Sequence, residues 1–204
     1  SLDFAALKLR LFHLASVGAL PSLEAPDRRW GCRGAALLAA AREAGIKTSV
    51  AIAGSVGTAK SATLASLLRQ ADYCLLNEVE AGLITGFKIR TAPDVLDPVA
   101  LRHAAGALLQ LGVHESVVIH FPEGSFARTR KGDDAWQASL RVPLKLRRGG
   151  WGFADAWVGG VLYGLHEAWD WPRCLLTGVC AAAASQLEAS ATGGICPLAE
   201  TLAL

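Results

Sequence analysis

The chain has 204 residues, 52% of them hydrophobic and 19% charged, which suffices to bury one sizeable core and fits a single domain spanning 1–204. Its formal net charge is +2, and the one close basic group, Lys145, Arg147 and Arg148, reads as a solvated loop, so no nucleic-acid face is implied. No apolar run reaches the roughly 18 residues of a membrane helix, and Asp3, Lys8 and Arg10 interrupt any signal-peptide core, so a cytoplasmic protein with no membrane partner is expected.

Segments of strand and helix character alternate along the chain. Residues 11–17, LFHLASV, are short, apolar and followed by Gly18 and Pro21, as a buried strand would be. GAALLAAAREAG, 34–45, reads as a helix that stops at glycine; TSVAIAG, 48–54, is the next strand and ATLASLLRQA, 62–71, the next helix. DYCLLNE, 72–78, is strand-like and leads into a short helix ending at Gly86. LRHAAGALLQLG, 101–112, is helical and ESVVIHF, 115–121, is another buried strand. The order predicts a mostly parallel sheet covered by helices on both faces.

Beyond Phe121 the pattern changes. GSFARTR and AWQASLRV flank the polar turn KGDD and predict an antiparallel hairpin. A glycine-rich turn then runs into a helix at 155–168, Pro172 starts a last long helix at 173–188, and a Gly-Gly break follows at Gly193 and Gly194. Five cysteines (Cys32, Cys74, Cys174, Cys180, Cys196) contain no C-x-x-C pair and are expected to be reduced and mostly buried. The histidines show no metal-ligand spacing. Methionine is absent, including at position 1, so the sequence is expected not to begin at a natural initiator.

Two glycine-rich loops precede helices, where ligands bind in such sheets. GSVGTAKS, 54–61, has the context of a phosphate-binding P-loop, but Ala59 precedes Lys60 where that motif needs glycine, because the backbone there must wrap a phosphate with its N–H groups turned inward. No later apolar strand ends in an aspartate that could hold Mg²⁺. The second loop, WGFAD, delivers backbone N–H groups to the start of a helix expected to begin near Asp155. An acid there has two readings. It caps the helix, for ~1 kcal/mol, or it acts as a general base beside N–H groups that stabilise a transferring phosphoryl group. Spacing leaves both open.

Four segments in order resemble the ribokinase-like (PfkB) carbohydrate kinases. GWGFADAWVGGVLYGL, 150–165, is similar to that family's G-A-G-D turn and small-residue helix; LLNEVEAGLITG, 75–86, resembles its N-x-x-E motif, with Asn77 and Glu80 in the matching places. VVIHFPEGSFA, 117–127, is similar to its strand, turn and strand, and CAAAAS, 180–185, followed by Gly193 and Gly194, resembles the segment that borders the adenine. The likeness covers nearly all of this chain but the C-terminal two-thirds of a typical member. It implies a ribokinase-like three-layer α/β sandwich and ATP- and Mg²⁺-dependent phosphorylation of a hydroxyl on a sugar, nucleoside or similar small molecule. Asp155 would be the base and Gly152, Phe153 and Ala154 would line the anion hole. Asn77 and Glu80 would order the Mg²⁺, Glu80 through water; Gly124, Ala183 and Gly193 would border the nucleotide.

Several residues depart from the family pattern. Ala154 stands where the family has glycine and would carry roughly 1–2 kcal/mol of strain if that position needs positive φ. Phe153 replaces a small residue, and His120 stands where a hydroxyl is usual and is read as structural. The early glycine motif and the sheet lid of the family have no counterpart in these residues, which leaves both a homodimer and a monomer open. Two other readings follow: a non-catalytic nucleotide- or sugar-binding relative, and a P-loop nucleoside-triphosphatase using Lys60. Taken alone, Asn77 and Glu80 also read as a strand-end turn and an exposed helical acid.

Overall fold

A computed structural model describes residues 2–17, 19–52 and 61–203. The P-loop-like stretch with Ala59 and Lys60 lies outside them, as does the end of the strand predicted over 48–54. In chain order the elements are β1 (Leu11–Val17), α1 (Pro21–Glu24), β2 (Pro26–Asp27), β3 (Gly31–Cys32), α2 (Arg33–Glu43), β4 (Lys47–Ile52), α3 (Ser61–Leu68), β5 (Tyr73–Asn77), α4 (Glu78–Thr85), β6 (Arg90–Ala92), β7 (Val95–Leu96), α5 (Pro98–Gln110), β8 (Ser116–Phe121), β9 (Gly124–Thr129), β10 (Asp134–Ala138), α6 (Phe153–His166), α7 (Trp171–Ser185) and α8 (Leu198–Thr201). The main sheet has six strands in the order β1-β4-β5-β8-β9-β10. The predicted α/β class with a mostly parallel sheet is what the chain adopts.

The chain divides into two compact units. The first, Ser1–His120 with Arg128–Asp133, holds the parallel strands. β1 pairs with β4 (Leu14 opposite Val50), β4 with β5 (Val50 opposite Cys74), and β5 with β8 (Leu75 opposite Val118), all parallel. Val50, Cys74, Leu75, Val117, Val118 and Ile119 are fully buried, which is why these strands read as unbroken apolar runs rather than alternating ones. The helices between them are set by local signals. Asp97 caps α5 by accepting from the N–H groups of Val99 and Ala100, with Pro98 in the first turn. Gly86, at φ +77°, closes α4 in the left-handed conformation.

The second unit, Phe121–Ala127 with Asp134–Leu204, is built on α6 and α7. Their close contact depends on glycine. A Cβ on Gly160 would stand 2.7 Å from the Thr177 carbonyl oxygen, and one on Gly178 would stand 2.7 Å from Val161 Cγ2, so any larger residue at either place forces the helices apart. Asp170 caps α7 through the Arg173 N–H at 3.1 Å, and α7 also packs on β10. Phe126 and Trp136 pack across β9 and β10 with ring centroids 4.3 Å apart and planes tilted by 42°. All five cysteines are free; four are buried and Cys196 is half-buried. Burial pushes the thiols of Cys32 and Cys180 up and that of Cys174 to about 11, so these three are not nucleophilic near neutrality. Among the described residues no helix is long and apolar enough to cross a membrane.

Candidate functional site

Two helix starts carry the residues singled out in the sequence, one in each unit. In the first unit β5 ends at Asn77, which is both the last strand residue and the N-cap of α4. Its side-chain oxygen accepts from the Glu80 N–H at 2.8 Å, while Glu80 Oε2 accepts from the Asn77 N–H at 2.9 Å. This is a complete capping box, two orphan donors satisfied by two side chains. Glu80 is not an exposed helical acid: it is 5% exposed, because its side chain folds back over the strand end. Burial pushes its carboxyl up, against the hydrogen bond from Asn77. Glu78, also buried, pairs with Arg90 Nε at 3.2 Å.

Among the described residues no three His, Cys, Asp or Glu side chains converge as a metal cage. Mg²⁺ keeps most of its water and needs few protein ligands. A cation nearby would offset the cost of burying the Glu80 charge.

In the second unit the turn before α6 is shaped by its neighbour in space. The Arg148 N–H donates to the Gln186 carbonyl at 2.9 Å, a Cβ on Gly149 would run into the Glu188 carbonyl, and one on Gly152 would lie 2.6 Å from the Ala191 carbonyl. Residues 148–152 therefore lie directly along 186–191, and side chains are excluded from the side that faces them. Gly152 is the N-cap of α6, in the left-handed conformation at φ +80°, and no side chain caps this helix. The helix thus begins at Phe153, two residues before the expected start, and Asp155 is its third residue rather than its cap. The strain considered for Ala154 is absent as well: the positive φ falls on Gly152, and Ala154 has helical backbone.

The first N–H of this helix to find a backbone acceptor is that of Ala156, bonded to the Gly152 carbonyl at 2.8 Å. The N–H groups of Phe153, Ala154 and Asp155 have no backbone partner among the described residues. Asp155 is exposed and its carboxylate has neither a hydrogen-bond nor an ion-pair partner among them. It opens onto a cavity of about 510 Å³, a size suited to a small organic ligand. Gly152, Gly159 and Tyr163 line it from α6 and its cap, and Ala181 lines it from α7. The far wall is Thr192, Ile195 and Cys196, held by turns in which the Gly193 N–H donates to Ser190 Oγ at 2.9 Å and the Ile195 N–H to the Thr192 carbonyl at 3.1 Å.

The remaining singled-out residues fall as follows. Gly152, Ala154, Phe153 and Asp155 share the first turn of α6, with Phe153 43% exposed. Ala183 is buried in α7, and Thr177 and Ala181 are the residues of that helix that line the cavity. Gly193 belongs to the turn that carries the far wall, and Gly194 packs on the Ala184 carbonyl. Gly124 has a local reason to be glycine, since a Cβ there would meet the Gln137 carbonyl of β10. Burial holds the His120 imidazole down at about 4, in keeping with a structural histidine. The cavity residues Tyr163, Thr192 and Ile195 were not singled out. Tyr163 falls on the α6 stripe 152, 156, 159/160, 163, which the helical period could have shown; residues 192–195 carry no such signal.

No family model and no curated protein matches the chain. Solved structures do. The ribokinase of Arabidopsis thaliana, complexed with ribose and ATP, superposes with a TM-score of 0.69 at 18% identity, over 83% of this chain and 51% of that one. Aminoimidazole riboside kinase from Salmonella enterica, complexed with aminoimidazole riboside and an ATP analogue, gives 0.69 at 18%, over 94% and 61%. A ribokinase from Thermotoga maritima gives 0.65 at 18%, over 99% and 59%. The fold is therefore the ribokinase-like fold of sugar and nucleoside kinases. The chain spans 51% to 61% of the length of these three structures.

Proposed function

We propose that the chain is the nucleotide-binding and catalytic part of an ATP-dependent kinase that phosphorylates a hydroxyl of a sugar, nucleoside or similar small molecule. The observation that carries this reading is the carboxylate of Asp155, which has no partner among the described residues, is set on a helix turn whose first N–H groups have no backbone partner among them, and opens onto a cavity. Phosphoryl transfer asks a protein chiefly for positioning and for stabilisation of charge. Asp155 takes the proton of the acceptor hydroxyl as the hydroxyl oxygen attacks the γ-phosphorus of ATP and ADP leaves. The N–H groups of Phe153 and Ala154, on the helix that Gly152 caps, oppose the negative charge on the transferring group. Mg²⁺, when bound, neutralises phosphate charge. Glu80 would hold it through water, with Asn77 fixing the Glu80 carboxylate. Gly124, Ala183 and Gly193 stay assigned to the nucleotide's surroundings on the resemblance alone.

The non-catalytic reading draws on Phe153, whose half-exposed ring stands on the first turn of α6. One experiment separates the two. Asp155→Asn keeps the shape and removes the base, so phosphorylation of a panel of sugars and nucleosides should fall by about 10³-fold, with ATP affinity changed less than about twofold. Equal turnover by wild type and variant would sink the assignment of Asp155. An ATP affinity lost on Lys60→Ala instead would move the nucleotide to the 54–61 loop.

A further inference from the structure

α5 has two faces of opposite character. Leu101, Ala104, Ala105, Leu108 and Leu109 are buried on one side. On the other, a cavity of about 480 Å³ follows the helix, lined by Val99, Arg102, His103 and Gly106, with Phe87 and Arg128 among its further walls. Among the described residues no carboxylate lines it. It shares no residue with the cavity beside Asp155, so it stands independently of the kinase reading.

Three features mark it as built to hold something. Gly106 sits in the interior of a thirteen-residue helix, where glycine is unfavourable, yet a Cβ there would meet nothing within 4 Å. Packing does not require this glycine; its effect is to deepen the floor. Arg128, near the end of β9, lines the same cavity as Arg102. Arg130, in the turn that follows β9, donates to the Leu109 carbonyl at 2.8 Å and to the Val113 carbonyl at 2.6 Å, tying this edge to the end of α5. Finally, the Phe87 and His103 rings lie 5.7 Å apart and tilted by 46°, an aromatic surface in the cavity that Arg102 and Arg128 also line.

We propose that this groove binds a small organic phosphate: Arg102 and Arg128 take the phosphate, and Phe87 with Val99 takes an apolar or planar body. Two arginines lining one cavity suit the planar, multidentate recognition of phosphate oxygens, and the volume falls in the range of small-molecule sites. The glycine floor admits the body of the ligand where a side chain would fill the space.

Phenyl phosphate is a suitable probe, read by amide chemical shifts and by calorimetry on the whole chain, with inorganic phosphate and phenol as its two halves. Saturable shifts at Arg102, His103, Gly106 and Arg128 are expected, with each half binding roughly tenfold or more weakly, about 1.4 kcal/mol. Gly106→Leu should fill the floor and abolish binding while leaving the thermal midpoint unchanged or raised, since leucine favours helix. The double variant Arg102→Ala, Arg128→Ala should lose binding to the same extent. No saturable shift, shifts confined to other residues, affinity for inorganic phosphate equal to that for phenyl phosphate, or unchanged binding in Gly106→Leu would each overturn the proposal.

Discussion

The starts of α4 and α6 meet the same physical problem with opposite results. At α4 the donors of the first turn are satisfied from within, by the reciprocal bonds of Asn77 and Glu80. At α6 the cap is Gly152, which has no side chain to offer, and the first donors behind it have no backbone partner among the described residues. Both follow segments with an acid close by, and both acids lie three residues beyond the cap. The difference lies in where the acid turns. Glu80 is long enough to reach back to its own cap, and is buried doing so. Asp155, one methylene shorter and behind a left-handed glycine, stays exposed and unpartnered. A helix start closed by its own side chains has its donors already satisfied, whereas one left open keeps the donors that an anion would need.

That contrast can be broken by substitution. The largest effect belongs to Asp155→Asn, with the thousand-fold loss of turnover described above and an unchanged thermal midpoint, because the carboxylate holds nothing in the fold. Gly152→Ala should follow, destabilising by roughly 1–2 kcal/mol from the left-handed backbone alone. Its added carbon would also press on the Ala191 carbonyl, and chemical denaturation should show a lower midpoint together with weakened nucleotide binding. A midpoint equal to wild type would mean that the turn is looser than described. Asn77→Ala removes half of the capping box and should cost ~1 kcal/mol of stability; a larger loss of Mg²⁺-dependent nucleotide binding than of stability would tie this cap to the metal as well.

The smallest effect is on pH dependence and lies away from both helix starts. Burial holds His13 and His120 down at about 4, below the ordinary value of 6.5, so the unfolded chain takes up protons first as the solution is acidified. Their contribution to stability is complete above about pH 6.5 and is lost as pH falls toward 4. Urea midpoints measured between pH 7.5 and 5 should decline already above the carboxylate range, and His13→Gln with His120→Gln should flatten that decline. Glu115 acts lower on the scale. Desolvation pushes its carboxyl up, but hydrogen bonds from Lys47 and Tyr73 outweigh this and hold it below the usual range, so its contribution persists until more acid conditions.

The resemblance to a kinase family and the alternation of elements were legible because their causes are local. A buried parallel strand is a short apolar run between turn residues, and β1 falls on the predicted residues 11–17 for that reason. The helix ends were readable where one residue sets them, as Gly86 does. The ladders β2–β3 and β6–β7 were missed. Each involves strands of only two or three residues, too short to show a period of two.

At the candidate site the residue types were visible in the sequence, but their conformations were not. Sequence by itself determined that glycines, an acid and a small-residue helix follow one another over 149–165, since composition and helical period survive without any neighbour. Tertiary structure decided that the left-handed residue is Gly152 rather than Ala154, because the backbone of Ala191 lies against it and leaves no room for a side chain. It likewise decided that Glu80 is buried and Asp155 open, and that residues 191–196 complete a cavity with α6. Burial and cavity shape arise from parts of the chain brought together from far apart, and no local pattern in either part carries them.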